Sequence, residues 1–314
     1  MNHLFAYISA ENYKFFKSNL WKTSLLIATL LSLFMISAIQ KNSNWQADLA
    51  KRNKDIELQL NQTPLTLKNS VTENYLIQEW QENNAYLNEQ VKPATEETIQ
   101  GYLSSVLSLK GLGLILVVFT ILFSVNLAKE FETGTIKFML MSPYTRVKLI
   151  IGNYLTVLLV SFLFLFAVLV VNGLLSFAFM SPSSTTHFTS LYGEIISSST
   201  LAFMFKNILL SLVYYFVYIT FTFMLASVFR SVMLSLSVSL LFALLGTQIM
   251  GLISVHPKIL QFLLPAIVDL TNYQGGTTLI QQNNYSILTC LSIITIYISV
   301  FLCISIVSFK YRDI

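Results

Sequence analysis

Charge is what this chain has least of. Of 314 residues only 11% are Asp, Glu, Lys or Arg while 54% are apolar, and mean hydropathy is +0.66. So few charges cannot clothe the surface of a soluble protein of this length, and a soluble globular fold is excluded. Cysteine is almost missing: Cys290 and Cys303 both fall in the last apolar run, which excludes a disulfide framework or a cysteine metal site. His3, His187 and His256 are scattered without metal-ligand spacing. There is no G-x-x-x-x-G-K-[ST] loop, so the chain does not itself bind and hydrolyse ATP in the usual way. Internal repeats and nucleic-acid-binding patterns are absent as well.

What the chain does have is uncharged runs of membrane length, about 17 to 25 residues for one helical crossing. Six are found, predicting spans at 23–40, 105–128, 148–180, 207–229, 231–255 and 285–309. The third run is longer than one crossing needs and must tilt or extend past the bilayer. Their uncharged cores, which start at 111, 149 and 232 in the second, third and fifth, hold no ionisable Asp, Glu, Lys or Arg. Proton- or sodium-driven carriers usually keep such a group within the membrane, so a secondary carrier is disfavoured.

Charge asymmetry sets the orientation. With the N-terminus inside, the inner segments hold ten basic residues against four acidic, a net of +6, and the outer ones nine against eleven, a net of −2. The loop 129–147 is basic while 181–199 has no Lys or Arg, so the positive-inside rule places both termini in the cytoplasm of a cell-membrane protein. The tail 310–314 then lies inside, and 181–206 and 256–284 outside.

Residues 1–22 read as an interfacial helix, with Leu4, Phe5, Ile8, Phe15 and Phe16 on one side and Lys14 and Lys17 on another. Residues 41–104 form the one sizeable polar segment. Stretches 45–60 and 71–91 favour helix, Ser70 with Glu73 fits a capping box, and Leu49, Ile56 and Leu60 face Tyr75, Ile77 or Trp80 across a small extracellular hairpin. It could gate a substrate, dock an extracellular ligand or cap a dimer mouth. In 256–284, Pro257, Pro265 and Gly275-Gly276 break an apolar stretch, as in re-entrant segments protected by protein; Asp269 there is either a substrate contact or a solvated loop carboxylate.

The loop 129–147 carries the most specific pattern. An acidic pair, Glu130 and Glu132, precedes Gly134-Thr135, then apolar residues at 136 and 138–140, then Ser142-Pro143 and Arg146. Gly134 permits a break in the helix leaving the membrane. Ser142 and Pro143 make a favourable helix start. A short helix between two breaks results, offering charges and apolar side chains to a partner.

E-x-G-T followed by S-P-x-x-R ahead of a long membrane helix resembles the permease subunits of type-2 ATP-binding-cassette exporters. Glu132, Gly134, Thr135, Pro143 and Arg146 match the motif, Ser142 fits, and Glu130 lies beside it. The basic, Asp-containing ending FKYRDI resembles the tail of such permeases, whereas Gly152-Asn153 stands where the family often has Gly-Lys. The resemblance implies an all-α protein of six transmembrane helices with an N-terminal interfacial helix and a cytoplasmic coupling helix. It implies no catalytic, cofactor or metal residue in this chain, with ATP and Mg held by two copies of a separate ATPase. A second permease chain, identical or related, completes the pathway in the lipid bilayer for a hydrophobic or amphipathic substrate. The competing expectation is a membrane sensor or immunity protein that recognises a ligand through 41–104.

Overall fold

A computed structural model describes residues 2–39, 44–62, 71–95, 97–108, 112–137, 141, 144–191, 194–252, 263–271 and 287–311. Helix α1 (Asn2–Lys17) ends at Ser18, whose hydroxyl donates to Phe15 O at 2.6 Å and whose backbone is extended. Helix α2 (Asn19–Ala38) restarts immediately, so the lead-in helix is shorter than residues 1–22. Phe15 is buried and meets Phe123 edge-on, and Phe16 is half-exposed against Trp21. The expected apolar side of α1 is therefore divided, part of it buried on protein. The side chains of Leu4 and Phe5 lie outside the described residues.

Helices α3 (Trp45–Gln62) and α4 (Val71–Asn88) form the expected hairpin. Its seam differs from expectation: Ile56 and Leu76 are buried, whereas Ile77 turns outward at 38% exposure. One residue along a helix is a rotation of about 100°, enough to exchange Ile77 for Leu76. Much of the seam is polar. Arg52 grips Glu79 through two bonds of 2.7 and 3.0 Å, Asn53 bonds Asn83 and Asn84 at 2.9 Å each, and Trp80 donates to Glu57 at 3.0 Å. The capping-box pair Ser70 and Glu73, and the Tyr75 side chain, lie outside the described residues.

The all-α expectation is corrected within 181–206. Strands β1 (Thr186–Leu191) and β2 (Glu194–Ser199) pair antiparallel from Thr186↔Ser199 to Leu191↔Glu194. Both are rich in Thr, Ser, Phe and Ile, which suit a pleated, half-buried surface. Helix α9 (Thr200–Phe229) follows at once, well before the expected start at residue 207. Lys206 is exposed on it, and a lysine that reaches water does not end a helix.

The second expected span, 105–128, is also interrupted. Thr98 caps α5 (Ile99–Val106), accepting from the Gly101 amide at 3.3 Å, and the chain continues as α6 (Gly113–Ser124) and α7 (Asn126–Glu132). At the α5–α6 break the hydroxyls of Tyr214 and Tyr215, both fully buried, donate to the Leu107 carbonyl, and Tyr215 also reaches Gly113 O at 3.2 Å. A Cβ at Gly113 would sit 2.2 Å from Ser108 O, so only glycine allows this approach. The Tyr214→Phe, Tyr215→Phe double variant bares a carbonyl in an apolar interior, an expected loss of about 1–3 kcal/mol. It is checked as a lowered melting temperature in detergent; unchanged melting would show that the tyrosines do not hold the break.

Helix α8 (Arg146–Phe179) is 34 residues long, roughly 50 Å at 1.5 Å per residue, as the long third run required. Several of its polar side chains are partnered: Tyr102 donates to Asn172 at 2.7 Å, Asn172 to Val168 O at 2.8 Å, and Tyr154 and Thr220 share a bond of 2.8 Å. These tie α8 to α5 and α9. Helix α9 is the centre of the bundle, packing on α5, α6, α7, α8, α10 (Val232–Leu252) and α12 (Ile287–Tyr311). Helices α2 and α12 lie outside it and expose Leu26, Leu30, Phe34, Ile296 and Val307, an apolar face suited to lipid.

Among the described residues, five helical stretches are long and apolar enough to cross a membrane: α2, α6 with α7, α8, α9 and α12. Helix α10 is apolar over Val232–Gly246. Of 256–284, only residues 263–271 are described. They hold α11 (Leu264–Ile267), which packs on α10 and α12, and Asp269, which accepts from Thr271 N at 3.1 Å and Thr271 Oγ1 at 2.6 Å.

Candidate functional site at the basic end of the bundle

Lys14, Lys129, Arg146, Arg230 and Lys310, distant in sequence, gather at one end of the bundle through specific contacts. Helix α7 ends at Glu132, and Gly134 turns the chain at φ +72°. Side-chained residues rarely adopt that angle, so glycine is required here for conformation. The turn is closed by hydroxyls: Thr133 Oγ1 donates to Lys129 O at 2.9 Å, Thr135 Oγ1 to Glu130 O at 3.3 Å, and the two hydroxyls lie 3.0 Å apart.

The acidic pair divides its attention. Glu132 Oε1 accepts from the Val232 amide at 2.7 Å, placing a carboxylate on the N-terminus of α10, where the helix dipole favours negative charge. Glu130 Oε2 accepts from Asn153 Nδ2 of α8 at 3.3 Å. With Glu11, Lys14 and Lys129 it lines a cavity of about 360 Å³ between α1, α2, α6, α7 and α10. Glu11 is buried there and paired with Lys14 at 2.5 Å.

Arg146 opens α8 and donates through Nη1 to Lys310 O at 3.4 Å. Arg230, in the left-handed region at φ 53°, closes α9 and lays its guanidinium 4.7 Å over the Phe131 ring. Phe131 in turn meets Phe309 edge-on at 6.0 Å. The loop is thus rooted in α7, α8, α9, α10 and α12 together. Ser142, Pro143 and the apolar residues 138–140 lie outside the described residues, and with them the expected short helix.

The structure brings Glu130, Glu132, Gly134, Thr135 and Arg146, expected from the loop pattern, to this end, and adds Phe131, Asn153, Val232 and the ring contact of Arg230. Arg230 was the available signal, as a lone charge between two apolar runs. No nucleophile, base and acid converge here among the described residues, and α7 contacts the start of α10, the end of α9 and the end of α12.

A second polar cluster lies at the opposite end, where α4 docks on the β-hairpin. The Phe188 amide donates to the Tyr86 hydroxyl at 3.0 Å, and that hydroxyl lies 2.8 Å from His187 Nδ1. Burial pushes His187 down to about 4, and its ring lies against Phe203 of α9 at a tilt of 32°, centroids 3.8 Å apart. Glu82 accepts from the Ser190 amide at 2.7 Å; burial pushes its carboxyl up to about 7, with Glu79 adding to the rise and the Ser190 amide opposing it. Gln81 accepts from Ser190 Oγ at 2.8 Å.

A family model described as a protein of unknown function (DUF2705) matches residues 68–314, and the chain belongs to that family. An uncharacterized protein, YhcI, of Bacillus subtilis (strain 168) is 27% identical over 286 residues, covering 88% of this chain and 87% of the relative. The family match includes α4, the β-hairpin and the whole loop 129–147.

Proposed function

We propose that this DUF2705 family member is the transmembrane permease subunit of an ATP-binding-cassette exporter. In this reading α10 is a sixth crossing, both termini are cytoplasmic, and the basic end of the bundle receives a separate ATPase. Two permease chains and two ATPase chains form the working unit, since closed twofold symmetry is the commonest way to complete a pathway from half a wall. ATP and Mg belong to the ATPase, and the substrate is a hydrophobic or amphipathic peptide, antibiotic or lipid. The observation that supports the reading most is the E-x-G-T loop rooted in five helices, with Gly134 in the backbone conformation that the motif's glycine allows. A mechanical load applied between Glu132 and Arg146 would reach α7 and α10 through Glu132, and α8 and α12 through Arg146.

The docked α3–α4 hairpin favours a second reading, a sensor or immunity protein that recognises an extracellular ligand. The two readings separate on co-purification from the native membrane: the exporter reading requires an ATPase whose hydrolysis responds to substrate, and the sensor reading requires none. Topology is tested by cysteine accessibility after Cys290 and Cys303 are replaced by Ala. Cysteines at Leu60 or Gln90 should label from outside the cell and one at Met141, 74% exposed, should not. Labelling at Met141 alone would invert the orientation and remove the loop from any cytoplasmic ATPase.

A further inference from the structure

Beside the bundle, α8 and α9 enclose a groove of about 670 Å³ with almost no polar lining. Leu158, Phe162 and Leu169 of α8 and Leu212 of α9 are partly buried and form its floor, while Leu155, Leu159, Leu163 and Phe166 of α8 stand exposed around it. Ile8 of α1 also lines it. Glu11, one turn along α1 from Ile8, shares the basic-end cavity with Glu130, and Glu130 is bonded by Asn153. Helix α1 therefore crosses at the Leu155 end of the groove, bringing Lys14 and Lys17 to that level.

Lys148 adds to this charge. It is exposed, and lies two turns before Leu155 on the same face of α8, since residues seven apart on a helix nearly superimpose. From Leu155 to Leu169 the groove runs about 21 Å, somewhat more than one leaflet of a hydrocarbon core that is about 30 Å thick in all. A cleft with no hydrogen-bonding capacity, one leaflet deep, within membrane-spanning helices and basic at one mouth, has the shape and charge of a lipid.

We propose that this groove holds one acyl chain of an anionic bilayer phospholipid, its headgroup phosphate at Lys148. The lipid would fasten α1 to α8 as a third surface beside their direct packing. The proposal rests on α8 and α9 being membrane spans and is independent of the exporter reading.

The probe is phosphatidylglycerol bearing a photoactivatable group on one acyl chain, added to the purified full-length chain after a detergent wash. Leu174 and Phe177, 69% and 73% exposed on the same helix, report ordinary annular lipid. Residues 155–169 should label several-fold more than residues 174–179. Phosphatidylglycerol should outcompete phosphatidylcholine, with a preference reduced about fivefold in Lys148→Gln, the size expected for one basic residue near an anionic surface. Lys148 is exposed, so this variant should fold as the parent does. Leu159→Trp, which fills the groove, should abolish the excess labelling while leaving 174–179 unchanged. Equal labelling of the two stretches would leave only annular lipid and overturn the proposal. So would protection of the groove by cross-linking to a second copy of the chain, and an unchanged lipid preference in Lys148→Gln would overturn the headgroup assignment.

Discussion

Arg146→Ala and Glu132→Ala are expected to leave the chain inserted and melting within a few degrees of the parent, yet to cut substrate-linked ATP hydrolysis by the co-purified ATPase about 30-fold or more. The two magnitudes that separate here are unequal. Losing a charged contact in a desolvated interface costs about 2 to 5 kcal/mol, whereas an exposed side chain lost from a surface shifts stability by about 0.5 kcal/mol. Glu132 carries a complication that only the structure reveals, for its carboxylate already accepts from the Val232 amide. Removing it costs a helix cap of about 1 kcal/mol whether or not an ATPase binds. Glu132→Gln resolves the two roles, because the amide oxygen can still receive the Val232 N–H while the charge is gone. Weak hydrolysis in Glu132→Gln with parental melting assigns the charge to the partner; parental hydrolysis would confine Glu132 to capping α10. For Arg146, full rescue by Lys would reduce it to an anchor on lipid phosphates, which need little beyond positive charge. Parental hydrolysis in both alanine variants would remove the loop as support for the exporter reading.

The docking of the helical hairpin on the β-hairpin is expected to be nearly insensitive to pH between about 4.5 and 6.5, and to become steeply sensitive when either titrating partner is removed. Glu82 rises from 4.5 to about 7 on folding, so its contribution is fully present below pH 4.5 and is lost as pH rises to 7. His187 falls from 6.5 to about 4, so its contribution is fully present above pH 6.5 and is lost as pH falls to 4. In the shared window one docked group holds an extra proton and the other lacks one, and the two slopes oppose each other. Glu82→Gln leaves the histidine alone, and docking should weaken on acidification from pH 6.5 to 4. His187→Phe leaves the carboxyl alone, and docking should weaken as pH rises from 4.5 to 7. Hydrogen exchange of the α4 amides against pH reads both, and three parallel profiles would show that neither group titrates on docking.

Membrane character was legible because it is a property of composition and run length: a helix in hydrocarbon must be apolar over its whole crossing, whatever it packs against. The α3–α4 hairpin and the turn at Gly134 were legible for a similar reason, since helix periodicity and glycine's backbone freedom are local. The two strands were not, because six-residue strands following an apolar helix carry too short a period to stand out. The break at Leu107 was hidden too, since an interrupted helix stays as apolar as a continuous one and its carbonyl is satisfied by tyrosines of α9, more than 100 residues away.

At the loop, the sequence by itself determined which residues carry charge, where the backbone can turn, and that this polar stretch follows the second apolar run. Only the tertiary structure decided that Glu132 caps α10, that Arg230 covers Phe131, and that Arg146 reaches the end of α12. Those contacts join residues 99 to 164 positions apart. Hydrogen bonds and ring contacts at such separations depend on how helices cross, and crossing is set by side-chain packing between elements, which no local pattern in the chain encodes.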